Sequence, residues 1–161
     1  MPSRSGWMKS AAHIVIRTYR GGVRDPLIIH WPEQIKDKGG IRGQFHCVND
    51  IVPTILDVLE IQAPDTFKGL DQIPIAGTSM TYTFEKPDDP THKKVQYFEM
   101  FGHRGIWADG WKAVTYHQKG TPYSDDEWEL YHLDEDFSEI HNLAAENPEK
   151  LRELIDLWWI E

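Results

Sequence analysis

Four short runs in the second half of the sequence alternate apolar and polar residues, and this pattern limits the available folds more than any other feature. The runs are rich in aromatic residues and read "VQYFEMF", "RGIWAD", "WKAVTYH" and "EWELYHL". Alternation with a period of two is typical of strands that bury one face. Gly102, Asp109-Gly110 and a turn region from Gly120 to Asp126 separate the runs, and Asp-Gly favours a tight hairpin. The sequence therefore predicts an antiparallel meander.

A helix is predicted after the meander. Pro148 opens a segment whose apolar residues recur at helical spacing, namely Leu151, Leu154, Ile155, Trp158 and Trp159. Proline is tolerated in a first helical turn because its missing N–H would have no partner there. We expect this helix to cover the sheet. The aromatic residues expected as core or interface anchors are Trp128, Tyr131, Trp158 and Trp159.

The first half of the sequence predicts a strand and a helix. Residues 27–29, Leu-Ile-Ile, show no polar alternation, which is typical of a parallel strand that is buried on both faces. Apolar residues then recur at helical spacing between 50 and 60, with Asn49 or Asp50 as the N-cap and Pro53 in the first turn. Gly, Pro and polar residues dominate 64–90 and predict a long loop. The order strand, helix, loop, meander, helix favours the end of an α/β domain followed by an α+β part.

Charge and composition exclude several classes of function. The net charge of −9 leaves no basic patch for phosphate neutralisation, so we expect no nucleic-acid partner. No stretch of apolar residues is long enough to span a bilayer, so we expect no membrane partner. Cys47 is the only cysteine, which rules out an internal disulfide and a cysteine-rich zinc module. We interpret it as a small buried apolar residue at the start of the first helix. The cellular compartment stays open.

Several segments together resemble the C-terminal third of bacterial arylsulfatases. They occur in the family's order and read "GGVRDPLIIHWP", "FHCVNDIVPTILDVL", "GTSMTYTF", "QYFEMFGHRGI", "DGWKAV" and "WELYHLDEDFSEIHNLAAENPEKLRELIDLWW". The resemblance implies the tail of an alkaline phosphatase-like sandwich. In that fold, one parallel-type strand and helix precede a small antiparallel sheet covered by a C-terminal helix. It also implies three regions: residues 1–20 depart from the family, 21–90 end the α/β core, and 91–161 form the antiparallel subdomain.

The resemblance further implies sulfuric ester hydrolysis in a complete enzyme, which uses a calcium ion and a formylglycine made from cysteine or serine. Formylglycine formation needs a proline and an arginine shortly after that residue, whereas Cys47 is followed by Val48-Asn49-Asp50-Ile51. Where the family has a glutamate and a sulfate-facing lysine, this chain has Arg20 and Val15. We therefore expect no cofactor in this chain and no catalytic residue, and we expect the chain to be inactive alone.

No metal ligand is assigned from the sequence. Adjacent acidic residues occur in Asp88-Asp89, Asp125-Asp126 and 134–136, next to proline or polar turn residues. Calcium needs several oxygen ligands that converge on one point, and the spacing of a calcium-binding loop is absent. We therefore expect these carboxylates to lie in solvated turns. The histidines show no spacing typical of zinc.

By the same resemblance, the turn in "FEMFGHRG" approaches the mouth of the substrate pocket. Loops commonly carry binding groups, and this turn holds Glu99, His103 and Arg104. His117, at the end of "WKAVTYH", faces the same pocket in this interpretation. The alternatives are an ordinary outward carboxylate for Glu99 and a surface histidine for His117. Arg24 is expected to brace the turn at 21–22 through Asp25 or a helix.

Two classes of function stay open at this point. The chain is either the C-terminal part of an arylsulfatase, which meets a sulfate-ester substrate only in a complete enzyme, or a standalone non-catalytic α+β binding module. An upstream Cys-x-Pro-Ser-Arg sequence would decide for the first. In either case residues 27–29 lack a second strand of their type, so we expect exposed apolar surface and self-association.

Overall fold

The computed structural model describes Thr18 and residues 23–161. The prediction for residues 1–20 therefore lies, apart from Thr18, outside the described residues. Two compact units are present. One is Leu27–Lys94, and the other consists mainly of Val95–Glu161, to which Thr18 and residues 23–26 also belong. None of the described helices combines the length and the hydrophobicity that a bilayer span requires.

The unit Leu27–Lys94 contains the predicted first helix but lacks the predicted strand. A 3-10 turn at Val48–Asp50 leads into α1, Ile51–Val58, which confirms the helix expected near 50–60. A two-residue antiparallel pair follows, β1 at Thr66–Phe67 and β2 at Leu70–Asp71. Helix α2 then spans Tyr82–Glu85.

The strand predicted at 27–29 is wrong for this structure. These residues pair with no described strand, and the side chain of Ile28 is 90% exposed. A strand is stabilised by hydrogen bonds to a neighbour, and the only strands described in this unit pair with each other. An apolar run alone does not supply that neighbour.

The predicted meander is confirmed as a four-stranded antiparallel sheet. Its strands follow chain order and lie side by side: β3 at Val95–Met100, β4 at His103–Ala108, β5 at Trp111–Thr115 and β6 at Trp128–His132. The first two connections are two-residue turns, Phe101-Gly102 and Asp109-Gly110, in which every φ is positive. Such turns match the right-handed twist of paired strands, which explains the Asp-Gly signal in the sequence.

The predicted C-terminal helix is α3, Pro148–Ile160, and it packs on one face of the sheet. The core between them is formed by Ile106, Ala108, Ala113, Leu130, Leu154 and Trp158. Trp158 is 9% exposed whereas Trp159 is 64% exposed, so of these two predicted core or interface anchors only Trp158 lies in the core. Adjacent helical residues point about 100° apart, so a single sheet buries only one of the two.

The turn at 21–22, which Arg24 is predicted to brace through Asp25 or a helix, lies outside the described residues. The guanidinium of Arg24 lies over the ring of Phe137, 4.0 Å from the centroid. A guanidinium is attracted to the negative face of an aromatic ring at such a distance.

Candidate functional site

The predicted site residues lie at the end of the sheet that carries the β3–β4 turn. Glu99 is exposed and its carboxylate accepts a hydrogen bond from the backbone N–H of Gly102, at 2.7 Å. This bond closes the turn, where Phe101 and Gly102 both have positive φ. Glu99 therefore supports the local backbone that presents His103 and Arg104.

His103 and His117 are joined directly. The backbone N–H of His117 donates to Nδ1 of His103 at 3.1 Å. The ring of His103 is buried and stacks on Tyr116, with centroids 4.7 Å apart. The register of β4 and β5 thus brings together two histidines that are fourteen residues apart in sequence.

The ring of His117 is held from three directions. It stacks on Tyr123 with centroids 4.1 Å apart, and its Nδ1 lies 3.0 Å from Oδ2 of Asp126. On another side it packs against Gly102, where a Cβ would approach within 2.7 Å of the ring Cδ2. Gly102 is thus required both by its φ of +87° and by the close approach of the histidine.

Arg104 is buried rather than open to a ligand. It is 3% exposed, donates through Nη2 to the carboxylate of Asp126, and lies over the rings of four aromatic residues, Tyr123, Trp128, Trp158 and Trp159. A buried guanidinium needs an opposite charge to offset its desolvation, and Asp126 supplies it. Nε of Arg104 has no hydrogen-bond partner among the described residues.

Besides Tyr123, the sequence analysis missed Asp126 as a residue of this site. It was assigned to a solvated turn, yet its side chain is 3% exposed and contacts both Arg104 and His117. We call the set His103, Arg104, His117, Tyr123 and Asp126 the turn cluster. No local spacing in the sequence identifies Asp126, because its partners Arg104 and His117 lie twenty-two and nine residues earlier in the chain.

An open cavity of about 460 Å³ borders the turn cluster. Its lining is polar and acidic, and consists of Tyr116, Gln118, Thr121, Asp125, Asp126, Glu127 and Glu129. Four carboxylates repel an anion, so this cavity is unsuited to a sulfate group itself. Uncharged hydroxyl-bearing or aromatic groups are compatible with it.

A second cluster of polar side chains is buried in the unit Leu27–Lys94. Asp50 is fully buried, and its carboxylate accepts hydrogen bonds from Lys93 Nζ at 2.7 Å and from the amides of Cys47 and Thr78, each at 2.8 Å. His46 Nδ1 adds a further contact at 3.0 Å. Of the two predicted N-cap residues, Asn49 and Asp50, the structure has Asp50 at the N-cap of α1, but its carboxylate makes no capping bond to this helix. It instead joins three separated segments of this unit.

The protonation states follow from these contacts. Burial opposes the ionisation of Asp50, but the hydrogen bonds from Lys93, Cys47 and Thr78 outweigh it and hold the pKa of Asp50 below its ordinary value. Burial lowers the pKa of His46, so its ring is neutral. Nδ1 of that ring then carries the proton toward Asp50, and Nε2 accepts from the Tyr82 hydroxyl at 3.1 Å. Every polar group in this cluster has a protein partner, which indicates a structural role.

Neither cluster provides the donor set of a metal site. Among Thr18 and residues 23–161, no group of three histidine, cysteine or acidic side chains is placed to hold a metal ion. Cys47 is partly exposed at the N-cap of the 3-10 turn, not buried as expected, and its backbone N–H donates to the Asp50 carboxylate.

Comparison with known proteins gives one matching family over most of the chain. The family of N-sulphoglucosamine sulphohydrolase C-terminal domains matches residues 17–156. An uncharacterized sulfatase of Schizosaccharomyces pombe is 37% identical over 143 residues, which cover 87% of this chain and 25% of the relative. Arylsulfatase K of Xenopus laevis is 26% identical over 142 residues, which cover 84% of this chain and 25% of the relative. The chain thus spans about a quarter of these relatives.

A solved structure has a similar fold. It comes from work on glycosaminoglycan metabolism by Bacteroides thetaiotaomicron and aligns with a TM-score of 0.65 at 22% identity. The alignment covers 88% of this chain and 30% of the solved one. At this identity the likeness concerns the fold.

Proposed function

Because the chain belongs to the sulfatases, through the family of N-sulphoglucosamine sulphohydrolase C-terminal domains, we propose that it forms one wall of a substrate pocket in a sulfuric ester hydrolase. The observation that supports this most directly is in the turn cluster, where Asp126, the hydrogen-bond partner of His117, lines an open cavity. In this proposal Glu99, His103, Arg104 and His117 form or support the rim. The nucleophile and the metal belong to other segments of the complete enzyme.

The negative charges of the cavity indicate which part of the substrate this wall would contact. The cavity carries four carboxylates, so it disfavours the sulfate and accepts the organic part of the ester. The exposed ring of Tyr123 provides a stacking surface for that part, next to the His117 ring. The wall thus takes part in recognition and leaves S–O cleavage to other residues.

The chain alone is expected to bind an aryl sulfate weakly and to release no product. With one face of the pocket present, the dissociation constant should be on the order of 1 mM. Titration of the labelled chain with 4-nitrophenyl sulfate should shift NMR resonances of His117, Tyr123 and residues 101–104. The same sample should release no 4-nitrophenol, with or without added calcium.

The control for this titration is His141→Ala, which removes an exposed histidine outside the turn cluster and should leave the shifts unchanged. His117→Ala should abolish them. If no resonance of the turn cluster moves, the chain is better explained as a standalone binding module. Turnover that stops on calcium chelation would contradict the proposed division of roles.

We also propose that the unit Leu27–Lys94 contacts other segments of a complete enzyme through its apolar surface. One stripe follows the 3-10 turn and α1, where exposed apolar residues recur at helical spacing: Val48, Val52, Ile55 and Leu59. Leu27, Ile28 and Ile29 add a second exposed apolar segment. Soluble monomers rarely expose large contiguous apolar patches.

In isolation the chain is therefore expected to self-associate. Light scattering should report a dimer or larger species that binds a hydrophobic dye. Ile28→Lys should reduce the association without disturbing the fold, because the Ile28 side chain is already exposed to solvent. The matched control is Gln34→Lys, which adds the same charge at an exposed polar position and should change nothing. A dye-silent monomer at high concentration would be the contrary result.

A further inference from the structure

We propose that Asp126 is a positioning residue that fixes the tautomer of His117, so that Nε2 of this histidine is presented to ligand as a hydrogen-bond acceptor. This inference rests on the proposed role of His117 in the pocket wall. The inference adds Asp126 to the site and specifies the tautomer in which His117 acts.

The tautomer follows from the hydrogen-bonding capacity of the partner. An ionised carboxylate only accepts hydrogen bonds, and both oxygens of Asp126 lie near Nδ1 of His117, at 3.0 and 3.1 Å. Nδ1 therefore carries the proton. In the neutral ring Nε2 then holds a lone pair, and no described residue pairs with Nε2.

Arg104 keeps Asp126 in this role. Its guanidinium donates to Oδ2 of Asp126, the oxygen nearer to Nδ1 of His117. The aromatic rings around Arg104 exclude water, so the cation and the carboxylate are fixed relative to the sheet. The order of contacts is Arg104 to Asp126 to His117, so the carboxylate is held from one side by the cation and faces the histidine with the other.

The ring of His117 also has little freedom to rotate. Tyr123 stacks on the ring, and Gly102 lies so close to Cδ2 that a Cβ would not fit between them. The backbone N–H of His117 is held by His103 Nδ1. A lone pair fixed in this way accepts a hydrogen bond from a hydroxyl group on the organic part of the ester, which is the part that the acidic cavity tolerates.

The first test uses the whole 161-residue chain without ligand. Long-range ¹H–¹⁵N NMR at pH 9, where histidine rings are neutral, distinguishes a proton on Nδ1 from one on Nε2. His117 is expected to carry its proton on Nδ1. A wild-type spectrum with the proton on Nε2 overturns the inference, whatever any variant does.

Asp126→Asn should reverse the tautomer. The amide oxygen of asparagine is expected to face the Arg104 donor, which leaves the NH₂ group to donate to Nδ1 of His117. The proton then moves to Nε2. Asp125→Asn is the matched control, because it removes the same charge one residue earlier, where the carboxylate contacts only Ser124 Oγ at 3.2 Å among the hydrogen bonds described. A folded Asp126→Asn protein whose His117 keeps the wild-type tautomer contradicts the inference.

The second test measures the consequence for binding. The wild-type chain should bind 4-hydroxyphenyl sulfate roughly 2- to 10-fold more tightly than phenyl sulfate, the range of one net hydrogen bond. Asp126→Asn should remove this preference. Asp156→Asn should keep it, because it removes the same charge from an exposed position on α3 that does not line the cavity. If the wild type binds the two esters with equal affinity, Nε2 of His117 does not accept a hydrogen bond from the hydroxyl group, and the inference is contradicted. If neither ester binds while the tautomer is as expected, the proposal that this chain forms a wall of the substrate pocket is contradicted. The proposal that Asp126 positions His117 is then retained.

Discussion

Asp50→Asn is expected to destabilise the unit Leu27–Lys94 by about 3–5 kcal/mol, the usual cost of removing one partner of a buried ion pair. Asparagine has nearly the same shape as aspartate, so the change removes charge without creating a cavity. Lys93, which is 5% exposed, would keep its charge with only the Asn49 side-chain oxygen, at 3.2 Å, as a further described acceptor. The amides of Cys47 and Thr78 would compete for the remaining oxygen of residue 50.

Hydrogen-exchange mass spectrometry localises this effect. Peptides that cover 45–58 and 78–93 should lose protection, whereas peptides from the four-stranded sheet should change less. Asp57→Asn is the control on the same helix, since the Asp57 carboxylate is exposed and accepts only from Ser79 and Thr81 among the bonds described. Its effect should be much smaller.

A double variant separates the buried charge from the lost hydrogen bonds. Asp50→Asn combined with Lys93→Met removes both members of the pair, and should recover part of the stability because no uncompensated charge is left in the interior. Unchanged protection in Asp50→Asn would mean that Lys93 is not buried against this carboxylate in solution.

Titration with acid measures the same cluster in the wild-type protein. The pKa of His46 is lowered by burial, and the pKa of Asp50 is lowered because its hydrogen bonds outweigh its burial. In both groups the unfolded state therefore binds protons more readily, so their stabilisation is present above the unfolded pKa values and is lost as pH falls through the folded ones. The urea midpoint should begin to fall below about pH 6.5, the unfolded histidine value, and fall again below about pH 3.9.

Trp158→Ala is expected to destabilise the sheet unit by about 3–5 kcal/mol, the range for truncating a buried tryptophan. The Trp158 ring stacks on Tyr97 at 5.1 Å and approaches Trp128 at 6.3 Å. Its Nε1 donates to the carbonyl of Phe98 at 3.2 Å, which ties α3 to β3. The loss should lower the thermal midpoint by roughly 10 °C or more.

The adjacent residue is the matched control. Trp159→Ala removes the same side chain from a site that is mostly exposed, so its effect should be small. Deletion of residues 148–161 removes the whole cover of the sheet and should cost at least as much as Trp158→Ala. An unchanged thermal midpoint and near-ultraviolet spectrum after this deletion would show that α3 is not part of the core.

Local chemistry in the sequence determined the sheet and both long helices. The four strands follow from alternation, the turn at Asp109-Gly110 from the positive φ that such a turn requires, and α3 from the spacing of its apolar residues. These signals act between residues a few positions apart. They can therefore be identified from a single sequence without knowledge of the packing.

Only part of the candidate site could be predicted from the sequence. The sequence pointed to His103, Arg104 and His117, and the structure brings these residues together at one end of the sheet. Their proposed role as a pocket rim stays a prediction. Asp126 was assigned to a solvated turn because nothing near it in sequence shows that Arg104, twenty-two residues away, points at it.

The tertiary structure alone decided which charges and which apolar residues are buried. Asp50 and Lys93 are forty-three residues apart and form an ion pair only because the fold brings their segments together. Trp158 and Trp159 are adjacent and chemically identical, yet the sheet covers only one of them. Residues 27–29 have the composition of a buried strand but no described partner to pair with. The physical reason is common to all three: periodicity sets the conformation of a segment, whereas burial and pairing depend on what another segment places against it.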